Sequence, residues 1–367
     1  MRTIAARVVT PVAASFDRAL AKVLFRRSAR SKARSRAESL GPIERIQALA
    51  EVHRLYDDPR AYDEPDTFFP VLDATDLRIE RVGDYGEGRG TGGRPGEILD
   101  LRWRSALPPS IDDPDVLERL ETRAATNHTA VVRLFAHRDR PRPTIILLHG
   151  YMGGAFAIEE RAFPVRWLFD RGLDVVLGVL PHHGLRGIRG RRPLLPSSDP
   201  RITIESLRHA IVDLRTLTGV LRARGAPAIG AMGMSLGAYT TALLGTVEEL
   251  AFAFPMIPLA SIADVARDED RLIGTATQRR EQYEALELAH RIVSPFARPS
   301  RVDGERVLVI AGEGDRITPR SHAERMAEHF GARTHFFSGG HLLQLGRDEA
   351  FREVGRVLGR AGLLDPR

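Results

Sequence analysis

Cysteine is absent from the sequence, which excludes a disulfide framework, a zinc-thiolate site and a cysteine nucleophile together. No uninterrupted apolar run approaches the roughly 18 residues that a membrane-spanning helix requires. Lysine is almost absent as well, with two against 52 arginines, a bias read as genomic base composition without functional content. The rest is ordinary for a globular chain of 367 residues: 43% hydrophobic and 28% charged residues exclude wholesale disorder. That length fills roughly two average domains, or one large α/β domain with extensions. The chain reads as cytoplasmic, with at most a peripheral contact to a membrane surface.

A net charge of +6 suggests a nucleic-acid partner until it is mapped along the chain. Residues 1–36 carry eight Arg and two Lys against one acid, Asp17, a net of +9 that leaves −3 for everything after them. A nucleic-acid reader carries its basic face on a folded domain, so no nucleic-acid partner is expected. Within this arm, residues 12–27 have helical periodicity, with Phe16, Leu20, Val23 and Leu24 on one face and Arg18, Lys22 and Arg26 on the other. Such a helix either packs its apolar stripe on the body, frays in solvent, or lies on an anionic membrane through residues 1–36. A second helical stretch opens at Pro42, with Ile43, Ile46, Leu49 and Val52 in register.

Strand-like alternation follows at residues 77–82 and 98–103, separated by a glycine-rich run. Gly88, Gly90 and Gly93 there satisfy G-x-G-x-x-G, but Pro95 and a strand follow where a phosphate cradle needs a helix. The run reads as a flexible hairpin loop. From residue 129 onward, apolar strands (129–136, 144–148, 174–180, 228–232, 250–254, 306–311, 333–337) alternate with helical segments (161–169, 204–224, 236–247, 262–292, 320–330, 348–358). That alternation implies a parallel sheet covered on both faces, whose functional groups collect at the carboxyl ends of its strands.

One of those ends reads Gly233-Met234-Ser235-Leu236-Gly237 and runs directly into a helix. A serine on so sharp a turn is lifted clear of the backbone at a helix N-terminus, and flanking glycines let strand and helix approach. A serine hydroxyl is a weak nucleophile without a base, and that base needs a carboxylate to hold its tautomer. Of twelve histidines, His341 stands in a Gly-Gly-His loop just past the last strand. His322, His329 and His335 read as ordinary solvated or packed residues. Asp315 is presented after strand 306–311, on the edge that carries Ser235, and Glu313 is its neighbouring rival. Asp264, Asp268 and Asp270 fall in the helical insertion and read as a solvated face. His182-His183 also stands at a strand end, but adjacent side chains diverge and no HExxH accompanies them, so no metal is expected.

The order Ser235, Asp315, His341, together with a strand ending in His149-Gly150, resembles the α/β-hydrolase superfamily over about residues 98–360. The resemblance implies an α/β fold: a mostly parallel eight-stranded sheet covered by helices on both faces, with a helical lid at about 256–300. It divides the chain into a basic amphipathic arm and helical extension (1–75) and an α/β-hydrolase domain (76–367). It implies an oxyanion hole from the backbone N–H groups of Leu236 and Tyr151, with Met152 as alternative to the latter, and gives His149 a structural role. The function implied is a serine hydrolase acting on a carboxylic ester or thioester, of esterase or lipase-like type, with a small-molecule acyl substrate and no cofactor. The alternatives are an acyltransferase or peptidase using the same three residues, a ligand-binding relative without catalysis, and a membrane-associated scaffold. Acyl length, leaving group and oligomeric state are not legible.

Overall fold

The computed structural model of the chain describes residues 9–18, 40–86, 95–122 and 124–365. The Leu20–Arg26 part of the amphipathic stretch and the Gly88, Gly90 and Gly93 run lie outside the described residues. Among the described residues nine strands form one sheet: β1 (Arg78–Tyr85), β2 (Gly96–Arg104), β3 (Thr129–His137), β4 (Thr144–Leu148), β5 (Asp174–Gly178), β6 (Ile229–Met234), β7 (Ala253–Met256), β8 (Leu308–Gly312) and β9 (Arg333–Phe337). Their spatial order is β1-β2-β3-β5-β4-β6-β7-β8-β9. The first three strands pair antiparallel, and β5 through β9 run parallel. The count is nine where the resemblance implies eight. The added strand is β1, which precedes the residues that carry the resemblance and pairs only with β2. Its side chains are mostly exposed and charged, and Arg78, Glu80, Arg81 and Asp84 guard the open edge against pairing with another chain.

The parallel strands are apolar on both faces because helices cover both. Along β4, Ile146 and Leu148 join a core with the helices Pro200–Ala223, Leu236–Val247 and Arg320–Phe330. Ile145 and Leu147 point the other way, into a core with Phe156, Val165, Leu168, Phe351 and Val354. A single helix is expected at 161–169, yet the structure has two, Phe156–Ala162 and Val165–Phe169. Pro164 separates them, because its ring fixes φ and supplies no N–H to continue the ladder.

The helix Pro200–Ala223 is buried around most of its circumference. Asp199 caps it by accepting from the Arg201 N–H at 3.0 Å, and Pro200 occupies its first turn. One face lies on the sheet, and residues 52–69 cover much of the other, with Tyr56, Phe68 and Phe69 buried in the same core as β2. Two arginines of that helix clamp the covering segment by its carbonyls. Arg208 Nε donates to Phe68 O at 2.8 Å, and Arg215 donates to Phe69 O while pairing with Glu248 at 2.9 Å.

β4 lies between β5 and β6, and the chain turns to opposite sides of it. The carboxyl ends of β4 and β6 therefore meet at a topological switch point, where open α/β sheets place their ligands. Because residues 52–69 share the main core, Phe69→Ala is expected to lower stability by about 3–5 kcal/mol. The denaturant midpoint of the whole chain, read as a single transition, checks this.

Candidate active site

β6 ends in a turn that the flanking glycines make possible. Ser235 has φ 55° and ψ −112°, a strained combination for a residue with a side chain. The turn is held by the Ser235 N–H donating to Met256 O at 3.0 Å, and by Ser235 O accepting from the Ala238 and Tyr239 N–H groups at 3.0 and 3.1 Å. A Cβ on Gly233 would run into the carbonyl of Gly237, and a Cβ on Gly237 into that of Leu148. Any larger residue at either place would push the helix Leu236–Val247 away from β4.

The serine faces a histidine, and the histidine faces a carboxylate. His341 Nε2 lies 3.0 Å from Ser235 Oγ, and its Nδ1 lies 2.8 Å from Asp315 Oδ2. Nδ1 therefore carries the proton, and Nε2 is left as an acceptor toward the serine hydroxyl. Asp315 is buried and fully occupied. Its Oδ1 accepts from the Ile317 and Thr318 N–H groups at 2.9 and 2.8 Å, and its Oδ2 accepts from Thr318 Oγ1 at 2.9 Å. Burial alone would lower the His341 pKa. The charge and hydrogen bond of Asp315, joined by the charge of Asp17, outweigh burial and raise it above the ordinary value. Glu313 accompanies Asp315 in sequence but lies 3.9 Å from Arg320, so the two neighbouring carboxylates do different work.

Leu236 is the first residue of its helix, so its N–H has no acceptor within that helix. Gly150 sits beside the serine: a Cβ placed on it would lie 3.5 Å from the Ser235 Cβ and 3.4 Å from Met234 O. Tyr151 and Met152 follow in the same loop, and Met152 takes positive φ. Three groups brace this loop from below. His149 is buried, accepts from the Leu180 N–H at Nε2 (3.1 Å) and donates from Nδ1 to Gly150 O at 2.8 Å. Burial, with His183 nearby, pushes its pKa down to about 3, so it stays neutral as a brace. Glu159, which sequence reading passed over, accepts from the Gly154 N–H at 2.8 Å. His183 packs its ring edge-on to Tyr151 at 5.9 Å, and burial lowers its pKa to about 4. No group of three or more metal-ligating side chains occurs among the described residues.

A second serine, histidine and aspartate meet inside the body. Ser105 Oγ lies 2.6 Å from His209 Nε2 and donates at 2.6 Å to Asp213 Oδ1. Here one ring nitrogen faces the serine and the carboxylate alike, with Asp213 Oδ2 at 3.6 Å from Nε2. The Asn127 Nδ2 amide faces Nδ1 at 3.3 Å, and the Asn127 Oδ1 is taken by the His182 N–H. Nδ1 is thus the acceptor and Nε2 holds the proton, so this imidazole cannot take one from Ser105. Burial lowers the His209 pKa to about 4, and the buried Arg186 guanidinium closes the cluster on Asp213 at 2.7 Å. It is an internal polar brace and a poor candidate for chemistry.

The insertion after β7 contains the helices Ile262–Asp268 and Ala276–Ala289. Asp264 is not part of the solvated face expected of it. Asp264 is buried and accepts from Arg325 at 2.7 Å, and Asp268 pairs with the buried His322 at 2.9 Å. Asp268 and Asp270 are exposed, Asp270 the more so. The helix Arg320–Phe330 supplies both partners, and nothing in the local sequence of the insertion signals it.

The acetyl xylan esterase of Paenibacillus sp. R4 superposes on this chain with a TM-score of 0.54 at 14% identity, over 84% of this chain and 99% of that one. The chain has the α/β-hydrolase fold. Within that fold, the Ser235 turn, the Asp315 turn and the His341 loop follow β6, β8 and β9 in turn. The uncharacterized protein Rv2627c of Mycobacterium tuberculosis strain H37Rv is 28% identical over 347 residues, which span 91% of this chain and 80% of that protein. The uncharacterized protein MT2702 of Mycobacterium tuberculosis strain CDC 1551 aligns over the same lengths at the same identity. No protein-family model matches the chain.

Removing the carboxylate of the internal brace leaves the Arg186 charge buried and unpaired. Asp213→Ala is accordingly expected to cost about 3–5 kcal/mol, read as a lowered midpoint in urea unfolding.

Proposed function

We propose that the protein is a serine hydrolase that cleaves a carboxylic ester, or a thioester, through an acyl-enzyme on Ser235. The observation that carries this reading is the continuous hydrogen-bonded chain from Ser235 Oγ through His341 to Asp315. In it the proton stands on the nitrogen that faces the carboxylate. Ser235 Oγ attacks the acyl carbon while its proton passes to His341 Nε2, and the imidazolium is stabilised by Asp315. The negative charge that builds on the carbonyl oxygen is met by the Leu236 and Tyr151 N–H groups, in line with the free first-turn N–H and the loop beside Ser235. His341 then gives its proton to the leaving alcohol or thiol. A water, deprotonated by the same nitrogen, attacks the acyl-enzyme and releases the acid.

No cofactor enters this scheme, and the fold is shared with an esterase. Met152, Leu185 and Leu342 stand exposed on loops that follow β4, β5 and β9, at the edge where Ser235 lies. An acyl chain approaching from that side meets apolar surface, which favours esters of apolar acids over charged ones.

A fluorophosphonate probe tests the reading directly. The wild-type chain is expected to gain one adduct by intact mass, lost in Ser235→Ala and in His341→Ala. Asp315→Asn is expected to slow labelling by about 10³–10⁴-fold through the wrong imidazole tautomer. The rate should rise with pH through an apparent pKa above the ordinary histidine value, because only neutral His341 accepts the proton. A folded wild-type chain that never labels would overturn the proposal and leave the ligand-binding alternative.

A further inference from the structure

The first 36 residues contain a single acid, and it is buried. Asp17 has no exposed surface, although it belongs to a helix spanning 9–18 whose Val12 and Phe16 are exposed. The packed stripe of that helix is Ala13, Ala14 and Asp17, and not the face marked by Phe16. Its seat is the pair of loops that carry Asp315 and His341. Thr10 Oγ1 donates to Ser338 O at 2.9 Å. A Cβ on Gly314 would stand 2.8 Å from Thr10 O and 3.4 Å from the Ala13 side chain. A Cβ on Gly340 would collide with the Asp17 carboxylate itself. Small residues on both sides let the helix descend until its carboxylate reaches the main chain.

There the two oxygens divide their work. Asp17 Oδ2 accepts from the His341 N–H at 2.6 Å, and Oδ1 accepts from the Leu342 N–H at 3.1 Å. The segment so gripped follows two consecutive glycines, Gly339 and Gly340, which leave the loop many backbone conformations of its own. Charge-assisted hydrogen bonds to a buried carboxylate are roughly twice as strong as neutral ones and directional. They select the one conformation in which the His341 ring lies between Ser235 and Asp315.

We propose that Asp17 is a positioning residue of the active site: from the N-terminal helix it fixes the backbone of the His341 loop and places a second negative charge behind the imidazole. The inference rests on the serine-hydrolase reading above. It makes the helix at 9–18 a working part of the site, whatever else the basic arm does. Among the described residues the charged groups that face His341 are Asp315 and Asp17, so removal of one is legible in the titration of the ring.

Asp17→Asn keeps the size of the side chain and one acceptor but loses the charge and the matched pair of acceptors. In the full-length protein it is expected to slow fluorophosphonate labelling about 10- to 100-fold. The acid limb of the pH–rate profile should move to lower pH, and Asp17→Glu should hold that limb near its wild-type position. Proton NMR of the His341 Nδ1–H, titrated in parallel, reads the same downward displacement without any turnover. Deletion of residues 1–18 should reproduce the slow labelling. Wild-type rate and wild-type ring titration in Asp17→Asn would overturn the proposal while leaving the serine-hydrolase reading intact. A wild-type chain that never labels would instead sink that reading, with the NMR titration still reporting on Asp17. Should Asp17→Asn fail to fold, Asp17→Ser is tested in its place. Unfolding of both would assign Asp17 to stability alone and overturn the positioning role.

Discussion

The main chain of Gly237 passes against the carbonyl of Leu148, and that of Gly233 passes under Gly237. These are backbone-to-backbone contacts, available only where no Cβ intervenes. They bring the start of the helix Leu236–Val247 down onto the end of β4, and so put the free N–H of Leu236, the loop after His149 and the Ser235 hydroxyl within a few ångströms of one another. The strain at Ser235 is the cost of that crossing. It is offset by its backbone hydrogen bonds to Met256, Ala238 and Tyr239 and by a helix buried along its whole length. If the crossing were opened by one methyl group, the Ser235 hydroxyl and the loop after His149 would move apart.

How much of this was legible in the sequence depended on residue type and local signal. Ser235, Asp315 and His341 can be named because each follows a strand and each sits among glycines or before a proline, which mark turns in plain text. Strand and helix order was equally open, since alternating apolar runs and 3.6-residue periodicity are local properties. Boundaries drifted where a buried strand runs into a buried turn: the run at 250–254 is a strand at Ala253–Met256. Contacts across long separations were hidden. Asp264 reads as part of a solvated face because its partner, Arg325, is some sixty residues away on another helix. At the N-terminus Phe16 is exposed while Ala13, Ala14 and Asp17 are packed, a face that is hard to read because two alanines and an aspartate carry almost no hydrophobic signal. The one available clue was a lone acid within a strongly basic segment.

The arginine bias has a structural use whatever its genomic origin. Arg208, Arg215 and Arg298 hold residues 61–69 by the carbonyls of Phe68, Phe69 and Ala61, and Arg186 reaches those of Val179 and Asn127. A planar guanidinium offers five donors in a fixed fork, so one side chain serves a carbonyl and a carboxylate together. Arg215 does this with Phe69 O and Glu248. A lysine would bring a single point charge to the same depth and satisfy fewer of the irregular carbonyls there. The covering segment, built of short helical turns at Arg60–Asp63 and Pro65–Thr67, is thus tied to the body by arginine hydrogen bonds to its main chain.

The bond between Asp17 and His341 joins positions 324 residues apart. A ribosome releases the helix at 9–18 long before the strand and loop that receive it exist. Until the final strand has been made and laid on the sheet edge, the carboxylate has no N–H groups to accept from and the helix has no groove. Ser235 and its turn lie wholly within the earlier strands and need no such wait. The Ser235 turn can therefore form before the His341 loop has its place, because Asp17 reaches that loop only once the last strand is laid on the sheet. The contact between Asp17 and the His341 loop is thus a closure of long sequence separation, which no part of the chain short of residue 342 can make.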